Sequence, residues 1–239
     1  MSLQLAATVV LAIVVPIAFT LAFLSLGRAF SYPNILRREP DEILRRFHGG
    51  GAGLILRWEA LLLSALAMLP LVPLLALSLR TTVGLTVVSI VLGSVAALVQ
   101  ALGLIRWPFA VPELARRYVA TDEPGLDPAE VAATRRSIEI TFVTLHRLFG
   151  VGIGEHLGYL FTGLWTLTVG ASILRGGMLS GWLGWIAIPL GVALLIGALE
   201  FVGPNERGGW RLAGTIVPIA YFAWSIWLVA IGVGLARDW

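Results

Sequence analysis

The chain contains no cysteine and no lysine; all 17 of its basic residues are arginine. Without thiols there is no disulfide framework, thiolate metal site, thioether-attached haem or thiol redox relay. Without lysine, retinal and pyridoxal Schiff bases are excluded as well. Charge of either sign is scarce, at 13% of residues against 58% hydrophobic ones, far from the balance of a soluble domain. No polar segment is long enough to fold by itself, so residues 1–239 read as a single integral membrane domain.

What fills the chain is apolar sequence. Six stretches, Leu3 to Leu26, Leu54 to Leu79, Val83 to Ile105, Val151 to Leu174, Trp182 to Val202 and Leu212 to Ala236, each have the length a helix needs to cross a bilayer. Their runs are continuous and lack the period-two alternation of barrel strands. The expectation is an all-α polytopic membrane protein, a bundle of six transmembrane helices with one or two cytoplasmic interfacial helices. The first stretch is expected to be retained as a helix, because no basic residue precedes it and it is long for a signal peptide.

Arginines set the orientation. One end of the bundle, side A, carries Arg28, Arg37, Arg38, Arg45, Arg46, Arg106, Arg116, Arg117, Arg135, Arg136, Arg207 and Arg211, whereas the other, side B, carries only Arg80, Arg175 and Arg237. Positive residues are retained in the cytoplasm, so side A should be cytoplasmic and both termini extracytoplasmic. The net charge of +3 is explained by this bias and by attraction to anionic headgroups, so the bilayer is the expected partner and nucleic acid is not.

Two side-A loops carry helix signals. In Arg38 to Phe47, proline and acids precede arginines, and Ile43, Leu44 and Phe47 share a face, which predicts a helix lying in the headgroup layer. Gly49 to Gly53 then reads as a flexible hinge into the second span, since no strand precedes it and no Lys-Ser/Thr follows as a phosphate loop requires. Asp127-Pro128-Ala129-Glu130 opens a second connecting helix that should run to about Phe149, where Gly150, Gly152 and Gly154 loosen the backbone. Gly154 and Gly158 form a small-xxx-small notch for close helix approach. Pro16, Pro70, Pro73, Pro189 and Pro218 should bend the spans that hold them. Trp107, Trp182, Trp185, Trp210 and Trp239 read as interfacial anchors, while Trp165, Trp224 and Trp227 fall deeper and suit the core.

Depth gathers the polar residues into one layer. Arg57, Glu59, Glu155 and His156 lie within the first two turns of spans that start on side A, and Gln100 and Glu200 lie where two other spans end there. Ionisable groups at that depth must pair, or face a wet cavity open to the cytoplasm. Arg57 is the expected anion contact, Glu155 and His156 the gating or proton-handling groups, and Glu59 and Glu200 their partners. The competing structural reading pairs Arg57 with Glu155 or Glu200 simply to lock helices together.

Catalytic patterns are missing. Glu59, Glu139, Glu155, Glu200, His146 and His156 supply the donors of a di-iron bundle, yet the Glu-x-x-His spacing is absent. Tyr159 and Leu160 occupy the positions where a zincin's second histidine would stand. His146, His156 and Glu139 remain the candidates for a metal, and the two histidines for a haem. No Gly-x-Ser-x-Gly elbow accompanies Thr162 and Thr166, whose hydroxyls are expected to bond back to their own helix.

The run Gly154-Glu155-His156-Leu157-Gly158-Tyr159-Leu160 through Gly163, followed by Leu174-Arg175-Gly176-Gly177-Met178-Leu179-Ser180-Gly181-Trp182-Leu183-Gly184-Trp185, resembles a family of uncharacterised bacterial six-span membrane proteins, domain of unknown function 4386. Ser180-Gly181 replaces that family's usual proline and its neighbour, and Trp182-Leu183-Gly184 matches. The resemblance implies six spans in a bacterial cytoplasmic membrane and brings no activity with it. The functional expectation is binding or transport of a small amphipathic or anionic molecule. The alternatives are an intramembrane metal- or haem-dependent enzyme, and a structural subunit that forms a homo-oligomer or joins another membrane protein.

Overall fold

A computed structural model describes residues 2–237, so Trp239 lies outside the described residues. Among the described residues the fold is all-α. Helix α1 (Leu3–Phe30) is capped by the Ser2 side chain, which accepts from the Leu5 amide at 3.3 Å, and stops where Ser31 turns left-handed. Helix α2 (Pro40–Leu66) starts on a proline and is broken at Gly51, whose φ of 54° and ψ of −154° suit glycine alone. The glycine run expected to serve as a hinge holds this kink.

At Ala67 the chain breaks again before α3 (Met68–Ser78), because Pro70 cannot donate to the preceding turn. Thr82 caps α4 (Val83–Leu104), which leads through the short α5 (Arg106–Phe109) into α6 (Val111–Ala120). Helix α7 (Pro128–Leu145) is capped by Asp127, as its sequence predicts. Instead of ending near Phe149, it widens into a π-helix over His146–Leu157 and continues as α8 (Gly158–Gly176). Glycines at 150, 152 and 154 remove the Cβ atoms that resist widening, so the helix relaxes its pitch rather than stopping. Helices α9 (Gly181–Gly197) and α10 (Arg211–Arg237) complete the chain.

Five helices, some counted across kinks, are long and apolar enough to cross a membrane: Leu3–Phe30, Pro40–Ser78, Val83–Ala120, Pro128–Gly176 and Arg211–Arg237. Gly181–Gly197 is apolar but shorter. The packing forms a ring: α1 lies on α2 and α3, these on α4, α4 on the π segment and α8, α8 on α9, α9 on α10, and α10 back on α1. Facing glycines bring α8 and α9 together. A Cβ at Gly163 would meet the Gly191 carbonyl at 2.8 Å, and one at Gly170 the Gly184 carbonyl at 3.0 Å.

Toward side B the ring is filled by a dry core that includes Leu71, Leu75, Trp165, Val169, Leu228 and Ile231. Trp224 and Trp227 belong to it and spend their N–H groups on Thr166 and the Leu183 carbonyl. Toward side A a second core is aromatic. Trp58 and Trp107 stack there at 4.3 Å, and Phe30 and Phe47 pack edge-on or flat against them.

This second core corrects two expectations. Trp107 is 1% exposed and belongs to the core, not to the surface an interfacial anchor needs, whereas Trp182 and Trp185 are exposed. Ile43, Leu44 and Phe47 do share a face, but it packs on Phe30 and the tryptophans rather than on headgroups. The kink at Gly51 separates this half of α2 from the half that carries Trp58, and both contribute to the same core.

Candidate functional site

The geometry begins with the π segment. Its i→i+5 bonding makes a wide helix, a form that recurs at functional sites, and Glu155 and His156 sit near its end. Opposite them α9 stops at Gly197, and the turn that follows carries Glu200. Between the two elements lies a cleft of about 210 Å³, lined by Val151, Glu155, His156, Ala198, Glu200 and Phe201 among others. Three predicted site residues therefore meet in one cavity.

Their bonding differs. His156 Nδ1 lies 2.6 Å from the Ala198 carbonyl oxygen. A carbonyl only accepts, so Nδ1 donates and Nε2 is left as a hydrogen-bond acceptor. Glu200, with an 11% exposed side chain, receives Arg37 Nη2 at 3.4 Å. Glu155 makes no ion pair within 4 Å among the described residues, yet lies in Coulombic reach of Arg106, Glu200, Arg37 and Arg147. Tyr32, Tyr159 and Tyr221 lie in Coulombic reach of it in turn.

Arg57 and Glu59 do not line this cleft. Arg57 is exposed and donates back to the Gly53 carbonyl at 2.9 Å, so it pairs with neither Glu155 nor Glu200. The cause is local: Trp58 is fully buried and takes the inward position, and its neighbours stand about 100° to either side on the helix.

The other candidates also part company. His146 Nδ1 faces Arg106 Nη2 at 3.3 Å, and its ring stacks on Phe142. Glu139 accepts from the Tyr118 hydroxyl at 2.8 Å. Among the described residues no group of three metal-type donors gathers, and the two histidines engage different partners. Thr162 and Thr166 each bond back to their own helix at 2.7 Å, as expected. Gln100 donates to Thr162 at 2.9 Å.

Residues that sequence reasoning passed over complete the layer. Arg106, one of the side-A arginines, is only 7% exposed, with Nη1 bonded to the Gly103 carbonyl and its guanidinium 5.1 Å from the Trp107 ring. The signal for it was Gly150, where a Cβ would sit 2.5 Å from Arg106 Nη2.

Above the layer, Asp122 accepts from Arg45 with both oxygens and from Arg135 with one. Tyr118 is flanked by the same two guanidinium groups, at 5.3 and 5.6 Å. This clamp ties α2, α6 and α7 together. The Arg45 hydrogen bonds hold the Asp122 carboxyl below the usual range.

The family described as Domain of unknown function (DUF4386) matches residues 7–232. No curated protein and no solved structure matches the chain.

Proposed function

This chain belongs to the family described as Domain of unknown function (DUF4386), and we propose that it is a six-span protein of a bacterial cytoplasmic membrane that binds or moves a small amphipathic or anionic molecule through a pocket opening on side A. In this reading side A is cytoplasmic and both termini are outside, supported by the concentration of arginine at that end. Helix α9 counts as the sixth span. Its 17 residues rise roughly 26 Å, close to the ~30 Å hydrocarbon thickness, and it stands between two longer neighbours in the ring.

The observation that carries the reading is the meeting of Glu155, His156 and Glu200 on one cleft. Polar groups at membrane depth face each other or water. Glu155 and His156 handle protons or gate the cleft, and Glu200 with Arg37 guards its mouth. Exposed Arg57, and Glu59 beside Trp58, lie off the cleft and serve at the headgroup layer, where Arg57 meets lipid phosphate.

Native mass spectrometry of the protein extracted with its surrounding lipid tests this. A bound small molecule should accompany the wild type and be lost from a folded His156→Phe variant, whose ring fills the cleft. If nothing accompanies the wild type, and His156→Phe only damages assembly, the protein is a structural subunit. A Soret band, or iron or zinc at one equivalent, would replace the binding reading with the metal- or haem-dependent enzyme.

A further inference from the structure

Part of the cleft wall is a loop rather than a helix. Phe201 and Val202, which line the cleft, open the stretch 201–209 between α9 and α10. The root of this stretch is fixed: the Trp210 amide donates to the Glu200 carbonyl at 2.6 Å and closes the neck, the Glu200 carboxylate receives Arg37, and the Ala198 carbonyl receives His156. Residues 201–209 are held differently. Among the described residues, the polar and ring contacts that reach them from outside the loop come from one side chain, Arg147 of the π segment. It donates Nη1 to the Glu206 carbonyl and lays its guanidinium 5.8 Å from the Phe201 ring.

The stretch is built to move as one piece. Inside it the Asn205 amide donates to the Val202 carbonyl, Glu206 to Gly203 and Gly209 to Asn205, so it keeps its shape when its outer contacts are lost. Residues 202–204 and 206–208 are exposed, and the Gly203–Asn205 turn has no extensive packing on any helix. Segments with so few buried contacts open at small cost in free energy. Gly208 and Gly209 lead back into the neck, and Gly209 lies at φ 73°, in the left-handed region that glycine enters freely. A hinge needs such positions to absorb changes in φ and ψ. Arg147 acts from the opposite wall, since it belongs to the same π segment as Val151, Glu155 and His156.

We propose that residues 201–209 form a lid on this cleft, latched by Arg147, and that release of the latch admits the ligand from side A. Swinging about the neck, the lid takes Phe201 and Val202 out of the wall and leaves Glu155, His156 and Glu200 in place, because the bonds at its root stay made. The latch is light by construction, an exposed hydrogen bond and a cation–ring contact. This rests on the pocket reading above and adds to it how the pocket is entered.

The test uses the full-length chain with Val151→Cys as its single thiol, in inside-out vesicles, and reads the rate at which a charged thiol reagent labels the cleft. Arg147→Ala should raise that rate about five- to tenfold, and Phe201→Ala, which takes the ring from both latch and wall, by a similar factor. Arg147→Lys, which keeps a donor and loses the planar fork, should raise it by less. Glu206→Ala should leave the rate unchanged, because the latch takes the backbone carbonyl of Glu206 while its carboxylate pairs with Arg207. A thiol introduced by Val169→Cys, in the dry core, should stay inert in every background. Where Arg147→Ala exposes that thiol, the bundle itself has loosened, and Phe201→Ala and Arg147→Lys decide the matter.

One labelling rate shared by the parent chain, Arg147→Ala and Phe201→Ala overturns the lid and leaves the pocket standing. A Glu206→Ala rate equal to a raised Arg147→Ala rate overturns the latch as assigned. A Val151→Cys thiol inert in every background removes the pocket, and the lid with it.

Discussion

Replacing Gly103 with alanine should disrupt the protein more than the same change at either of its glycine neighbours across the helix contact. On α4, a Cβ at Gly103 would collide with the Gly154 Cα and sit 2.9 Å from the Phe149 carbonyl oxygen. Both obstacles are backbone, which no rotamer change can clear. At Gly154 the same atom would lie 3.0 Å from the Gly103 Cα and 3.1 Å from the Phe149 carbonyl oxygen, tight but relieved by a shift of a few tenths of an ångström. At Gly158 it would meet chiefly the flexible Gln100 side chain, at 3.0 Å. Overpacking of this kind costs about 1–3 kcal/mol, and alanine recovers at most ~1 kcal/mol of helix propensity over glycine. Gly103→Ala should therefore lose about 1–2 kcal/mol net, Gly154→Ala less, and Gly158→Ala about nothing. Reversible unfolding in mixed micelles, read from the denaturant midpoint at constant slope, measures the order. Equal losses at all three positions, or a neutral Gly103→Ala, would refute the close crossing of α4 and the π segment.

Three further outcomes follow from the side-A end. Asp122 is held below its unfolded pKa by Arg45, so on acidification the unfolded chain takes up the proton first. The clamp's contribution is full above about pH 4 and lost as pH falls through the lower native value. Thermal melts should show wild type above Asp122→Asn at neutral pH and the two converging in acid; a gap independent of pH contradicts the clamp. Trp58→Ala removes a fully buried ring stacked on Trp107 and should cost about 3–5 kcal/mol, whereas Trp58→Phe, losing no hydrogen bond because Nε1 has none, should cost under ~1.5 kcal/mol. Equal midpoints for the two variants would show that the stack contributes little. His156→Ala should leave the midpoint within ~1.5 kcal/mol of wild type, the size of its single bond to Ala198, when checked by the same unfolding assay.

Hydrophobic runs and caps are local properties, and they were legible. Asp127 caps where it should, the glycine run at 49–53 supplies the kink, and the Gly154–Gly158 notch receives α4. Depth along a span was legible too, and it brought Glu155, His156 and Glu200 to one level. Rotation about the helix axis was not. Nothing in the run around Arg57, Trp58 and Glu59 shows which of the three points inward, and it is Trp58 that does. Nor does sequence show that three glycines widen a helix instead of ending it, which fused the connecting helix to the fourth span. Arg106 escaped because a guanidinium beside a span's end reads as an interfacial charge; only the space opposite it, at Gly150, marks it as interior.

The absence of cysteine allows a direct examination of the pocket, because a single introduced thiol is the only one in the protein. Val151→Cys places it on the cleft, and Val169→Cys, at a fully buried position in the dry core, serves as the control. A charged, membrane-impermeant thiol reagent is added to inside-out and to right-side-out vesicles. The Val151 thiol should react in inside-out vesicles only and the Val169 thiol in neither. A Val151 thiol that is inert in both, or that reacts only in right-side-out vesicles, would contradict a water-filled pocket open to the cytoplasm.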